Sequence, residues 1–201
     1  MLKINRHIEI KEYKVVPNTK EELRDILAEI LMTDHNADLN HIGTYKITDM
    51  NCLFQGLEPE NINISEWEVQ EVKSMDMMFM GCNNLKCDIS KWDTGKLKTA
   101  QSMFMGCYYF TSDLSKWDVS SLEDASQMFD GCSNFNSDLS NWNVEKLQYG
   151  DSMFDRCTKL KSDFEKWNPI NIKEIRFMFH RCKALGSFPT WWHKLWNERK
   201  K

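Results

Sequence analysis

The chain has 201 residues, 28% of them charged and 41% hydrophobic, with a formal net charge of −4. Such a balance lacks the clustered basic excess that nucleic acid or anionic lipid requires. The N-terminus, MLKINRHIEIKEYKVVP, is interrupted by charges too often to be a signal-peptide core or a membrane span.

Residues 1 to 16 alternate loosely, with Leu2 and Ile4, Ile8 and Ile10, then Tyr13 and Val15, a pattern of one or two strands. Pro17 ends the run. Thr19 followed by Glu22 has the capping-box spacing, and Leu23, Ile26, Leu27, Ile30 and Leu31 form one apolar stripe at helical spacing. Residues 1–36 are therefore expected to be a strand-plus-helix cap over the open first turn of a repeat array.

From residue 37 the chain repeats. Trp67, Trp92, Trp117, Trp142, Trp167 and Trp192 are each 25 residues apart, with Ile42 in the same column. Met78-Phe79, Met103-Phe104, Met128-Phe129, Met153-Phe154 and Met178-Phe179 keep that period, and Leu53-Phe54 begins the series. Leu39 and Ile47 start two further columns that end at Phe164 and Ile172. A fixed period of this length is the mark of a solenoid, whose units bury their apolar sides against one another. The expected organisation is a cap over 1–36, a solenoid of about six to seven turns over 37–192, and a C-terminal cap or tail over 193–201.

Five of the seven cysteines, Cys82, Cys107, Cys132, Cys157 and Cys182, are one repeat position. Stacked at about 4.8 Å they form a packing ladder of small buried side chains. The paired spacing of a zinc site is missing, and seven thiols fit a reducing compartment. The expected location is the cytoplasm, or the cell surface if a leader has been removed.

Within a unit, Leu114-x-x-Trp117-x-Val119-x-x-Leu122 matches leucine-rich-repeat spacing. Trp117 and Val119 are expected to point inward from a short parallel strand, with Lys116, Asp118 and Ser120 pointing out. Ser121 then caps a brief helix carrying Ala125, Met128 and Phe129 inward, and Gly131 turns the chain back. Gly81 and Gly106 match Gly131, whereas Arg156 and Arg181 do not, so the later turns are expected to end differently. The fold class is an α/β solenoid, a leucine-rich-repeat-like right-handed coil with one short parallel strand and one short helix per turn.

The phrases DISKWDTGKLKTAQSMFMGC and DLSKWDVSSLEDASQMFDGC resemble the BspA-type bacterial leucine-rich repeat, also seen in mycoplasma-type surface lipoproteins. The resemblance covers residues 37 to 192 and implies a curved solenoid that works as a binding surface, often in surface antigens and adhesins. Similar short arrays in phage and mobile-element contexts imply an intracellular target instead, such as a nucleoprotein defence effector blocked by an anti-CRISPR-like inhibitor.

Several columns are candidate sites. The tryptophans suit a core better than a base-stacking platform, because their neighbours alternate Lys with Asp and a buried indole needs only one acceptor. Asp88, Asp113, Asp138 and Asp163 repel one another by roughly 1 kcal/mol per stacked pair in water. Backbone N–H groups of the following turn are the expected compensation, with calcium as the alternative. On the strand's outer side, Glu66, Lys91, Lys116 and Lys166 share one column and Glu68, Asp93 and Asp118 another. Lys91-Asp93 and Lys116-Asp118 are expected to be exposed pairs, and both columns a candidate partner surface. Met80 and Met105 stand where other units have Asp130 and Asp155, and Met77 where they have Ser102 or Gln127. Tyr108 and Tyr109 stand where they have Ser133 and Asn134. Met and Tyr in these adjacent turns suggest an adaptable protein-binding patch. At the C-terminus, Trp192 and Trp196 are expected to close the last turn.

The five histidines are scattered, and neither nucleophile–base nor phosphate-cradling motifs occur. The sequence reads as a non-enzymatic binder that docks on a protein. No cofactor, metal, direct nucleic-acid contact or membrane contact is expected.

Overall fold

The computed structural model describes residues 12–198; the alternation expected from Leu2 to Ile10 lies outside them. Helix α1 (Lys20–Leu31) precedes the repeat array and helix α2 (Thr190–Glu198) follows it. The Thr19 hydroxyl accepts from the Glu22 N–H at 3.1 Å. The Glu22 carboxylate reaches back to the Asn18 N–H at 2.7 Å, one residue beyond the reciprocal bond of a capping box. Leu23, Leu27 and Leu31 are buried, with Ile26 and Ile30 packed beside them. Among the described residues no helix is long and apolar enough to cross a membrane.

In the array, successive units lie side by side. Parallel bridges join Asp49 to Ser74, Ser74 to Thr99, Thr99 to Asp124, Asp124 to Tyr149 and Tyr149 to Glu174. Around each bridge the backbone divides its donors. The N–H groups of Met75, Met77, Phe79 and Gly81 cross to the carbonyls of Thr99, Gln101, Met103 and Met105 at 2.8–3.0 Å. Those of Met78, Met80 and Cys82 turn back on Met75, Met77 and Phe79 at 2.9–3.2 Å. The next unit repeats this from Ala100 to Cys107.

This division corrects the expected strand and helix. A helix interior keeps its N–H groups within itself, whereas here every second donor serves the neighbour. Left-handed residues at Gln127 (φ 58°) and Gly131 (φ 80°) also break any helix through Met128 and Phe129. Among the described residues, the array has no α-helix. The strand expected at Trp117 and Val119 shrinks to a one-residue bridge at Asp124, because the Trp117 and Leu122 N–H groups close local turns on Leu114 and Val119. The inward–outward alternation holds for Trp117 and Val119, which are buried, and for Lys116 and Asp118, which are exposed, whereas Ser120 is half-buried. Arg156 and Arg181 are a further correction. They adopt φ 64° and 59°, the left-handed backbone of Gly81, Gly106 and Gly131, so the later turns end as the earlier ones do.

The core is built of ladders. Phe54, Phe79, Phe104, Phe129, Phe154 and Phe179 stack with centroids 4.9–5.7 Å apart. Each indole N–H from Trp67 to Trp167 donates to a carbonyl of the preceding unit at 2.8–3.0 Å, as Trp117 does to Ile89. The last member is Trp191, not Trp192. Trp191 donates to the Phe164 carbonyl at 2.8 Å and stacks on Trp167 at 6.4 Å. Helix α2 begins at Thr190, so the chain leaves the repeat register there and Trp192 packs edge-on against Phe179 instead. The C-terminal cap thus starts before residue 193.

The thiols form their own ladder. Cys107, Cys132, Cys157 and Cys182 donate to the carbonyls of Phe79, Phe104, Phe129 and Phe154 at 3.0–3.1 Å. Burial pushes the Cys82 and Cys182 thiols up to about 12, and raises those between them well above the ordinary range. At the N-terminal end, no preceding repeat unit donates to the first one among the described residues. Arg24 takes that place, giving hydrogen bonds of 2.7 Å to the carbonyls of Cys52, Leu53 and Gln55. Val15 bridges in parallel to Ile42, extending the cover.

Candidate functional site

The aspartates before each tryptophan are held by their own turns. Asp88, Asp113, Asp138 and Asp163 accept from the N–H two residues on at 2.9–3.0 Å. Hydrogen bonds from Ser90, Ser115 and Ser140 keep the first three carboxyls below the usual carboxylate range. Lys91 and Lys116 add to this, their charges acting on Asp88 and Asp113. The expected Lys91-Asp93 and Lys116-Asp118 pairs do not form among the described residues. Asp93 and Asp118 instead accept from the Gly95 and Ser120 N–H groups at 3.2 and 2.9 Å.

On this side the first units are linked by bridges from Asp38 to Asn63 and from Asn61 to Lys86. Farther along, the Ser112, Ser137 and Ser162 hydroxyls take over as acceptors for Ile89, Leu114 and Leu139. Three confluent hollows run across it. The largest, about 820 Å³, is lined by Asn63, Asp88, Asp113, Lys91 and Lys116. The second, about 480 Å³, shares Asn36, Asn61 and Lys86 with the first and adds Asn84 and Tyr109. The third, about 250 Å³, shares Glu60 and Asn84 with the second and reaches His35, Asn83 and Gly81. Together they make one polar, asparagine-lined groove. At its rim, Tyr108 and Tyr109 are 44% and 47% exposed and meet edge-to-face at 4.9 Å.

Of the residues chosen from sequence, Tyr109, Lys91 and Lys116 share this groove and Tyr108 borders it. The methionines do not. Met77, Met80 and Met105 are half-buried; Met77 occupies a left-handed position (φ 55°), and the Met80 sulfur accepts from Gln55 Nε2 at 3.9 Å. The exchange of Met80 and Met105 for aspartate in later units has a scaffold reason. Asp130 is buried, and Arg156, in the glycine column of the next unit, grips it at 2.8–3.0 Å. Asp155 meets a member of its own column instead, His180, at 3.0 Å. Met80 and Met105 have glycine, Gly106 and Gly131, at the position where Asp130 has Arg156.

Glu68 is also withdrawn from the expected surface. It is half-buried and its Oε1 accepts the Tyr13 hydroxyl. Burial, followed by that hydrogen bond, raises the Tyr13 phenol above its ordinary value. Glu66 and Lys166 are exposed but line none of the three hollows. The sequence reading missed Asn36, Asn61, Asn84 and Lys86. The usable signal was that Asn36, Asn61 and Lys86 occupy one repeat column with no apolar member.

A family model described as "Mycoplasma protein of unknown function, DUF285" matches residues 23–133 and 110–197. Searches of curated proteins and of solved structures give no match. The two family matches overlap and together take in most of the sequence, so the chain belongs to the DUF285 family.

Proposed function

We propose that this chain is a non-catalytic binding module, a BspA-type leucine-rich-repeat solenoid that docks a protein partner along the asparagine-lined groove. The constant 25-residue offset of the bridges between repeat units supports the solenoid reading. The binding reading rests on the Tyr108-Tyr109 pair, two exposed aromatic rings beside hydrogen-bonding side chains that no packing rule demands. Tyrosine is a favoured anchor at protein interfaces. Carboxylates of Glu60, Asp88 and Asp113 lie along the same groove, which disfavours a phosphate backbone as the ligand.

The test replaces Tyr108 with Ser and Tyr109 with Asn, the residues found 25 positions later, so the fold is retained. A partner is first captured on the immobilised chain from bacterial lysate, then titrated by calorimetry against both proteins. The expected result is at least about a tenfold loss of affinity with an unchanged melting temperature. Equal binding by the double variant rejects the groove as the interface.

A further inference from the structure

The two ends of the array are chemically unlike. Each unit hands its neighbour the N–H groups at the positions of Met75, Met77, Phe79 and Gly81. In the last unit these positions are Ile175, Phe177, Phe179 and Arg181, and their N–H groups meet no acceptor among the described residues. At the other end, the matching carbonyls of Leu53 and Gln55 are already taken by Arg24. The C-terminal edge is also almost purely a donor. The carbonyls of Ile175, Phe177 and Phe179 serve the local turns of Met178, His180 and Cys182.

Beside this edge lies a hollow of about 290 Å³ lined by Phe177, Phe179, His180, Phe188, Trp192 and His193. Phe177 is 60% exposed and Phe188 41%, although the position corresponding to Phe177 one unit earlier is Ser152. Arg181 and Lys183 are exposed and form no ion pair among the described residues. Of the four donors, those of Ile175 and Phe179 belong to buried residues, whereas those of Phe177 and Arg181 belong to exposed residues beside the apolar hollow, an arrangement that can take up a peptide segment through its main-chain carbonyls and one apolar side chain.

We propose that this end docks an acidic peptide segment of a partner protein. Its carbonyls accept from the N–H groups of the exposed Phe177 and Arg181, and one apolar side chain enters the hollow. The site is separate from the groove. Two copies of this chain meeting end to end would set donors against donors. A head-to-tail copy would meet carbonyls of which Arg24 already holds two, those of Leu53 and Gln55. The exposed Arg181 and Lys183 select acidic over basic segments.

The probe is a fluorescent peptide, Asp-Ala-Ser-Gln-Met-Phe-Asp-Gly, identical to residues 124–131, which fill this role for the preceding unit. Anisotropy is measured with the full chain. Saturable binding is expected, about tenfold weaker when both peptide aspartates become lysine and about tenfold weaker with the Phe177→Ser chain. Arg181→Gly keeps the N–H and relieves the left-handed backbone; it is expected to weaken binding several-fold and flatten its salt dependence. Hydrogen exchange at residues 177 and 181 is expected to slow on peptide addition. No binding at millimolar peptide, or unchanged exchange at those amides, overturns the proposal. Loss of peptide binding in the Tyr108→Ser/Tyr109→Asn chain assigns the peptide to the groove and overturns it as well. Concentration-dependent self-association abolished by Phe177→Ser identifies a second copy as the occupant and does the same.

Discussion

Asp130 shows how one side chain commits another a full unit away. Burial raises its carboxyl above the ordinary range, and the Arg156 guanidinium works against that rise. Arg156 accepts a left-handed backbone (φ 64°), a strain of roughly 1–2 kcal/mol, in exchange for its fork on the carboxylate. Arg156→Gly relieves the strain but strands a buried carboxylate, so a net loss of about 2 kcal/mol in urea unfolding is expected. Adding Asp130→Met recreates the Met105 pairing with glycine and should restore most of that loss; no recovery would sink the pairing rule. The thiols make a second residue-level prediction. Their ordinary value is 9.0 and burial raises it, so the unfolded chain releases these protons first as pH rises. Stability is thus full below about pH 9 and falls as pH climbs toward the folded values, by up to about 1.4 kcal/mol per pH unit for each thiol. Urea midpoints from pH 7 to 10.5 should show the decline, and Cys107→Ala/Cys132→Ala should make it shallower.

At the scale of elements, the N-terminal cap is defined by what Arg24 does for the first unit. Arg24→Ala leaves the Leu53 and Gln55 carbonyls without their donor, at an expected cost of about 1.5–3 kcal/mol. Hydrogen exchange should then rise over residues 50–57 and little beyond Gly81; a uniform rise would contradict a local capping role. Helix α1 was legible from Thr19, Glu22 and a clean apolar stripe. The repeat columns were equally legible, because burial imposes one residue type at each inward position. Hydrogen-bond routing was not, since Met77, Ser102, Gln127 and Phe177 share a left-handed backbone that none of these residue types announces. Only the glycine column advertised such a position, and there Arg156 misled the reading. The Asp130–Arg156 pair becomes visible only when columns are compared one unit and one residue apart.

For the whole molecule, the unbroken 25-residue offset means that any excision of one full period leaves every ladder aligned. Deleting residues 112–136 should give a folded chain with a lower melting temperature, because one interface between neighbours is lost. Removing only residues 112–123 puts the phenylalanine, indole and thiol columns out of step and should abolish cooperative unfolding by circular dichroism. A folded half-period deletion would refute the stacking account. The groove was only partly legible at this scale. Lys91, Lys116 and Tyr109 were singled out, but their meeting in one groove depends on how the turns sit side by side, which composition does not encode.

The indole spacing also has a mechanical meaning. A chain held by its two termini and stretched should not give way at once, because each layer is secured chiefly by the layer next to it. Peeling one layer frees a length of about 80–90 Å, so the force trace should advance in equal steps, with the tryptophans as the graduations of a molecular ruler.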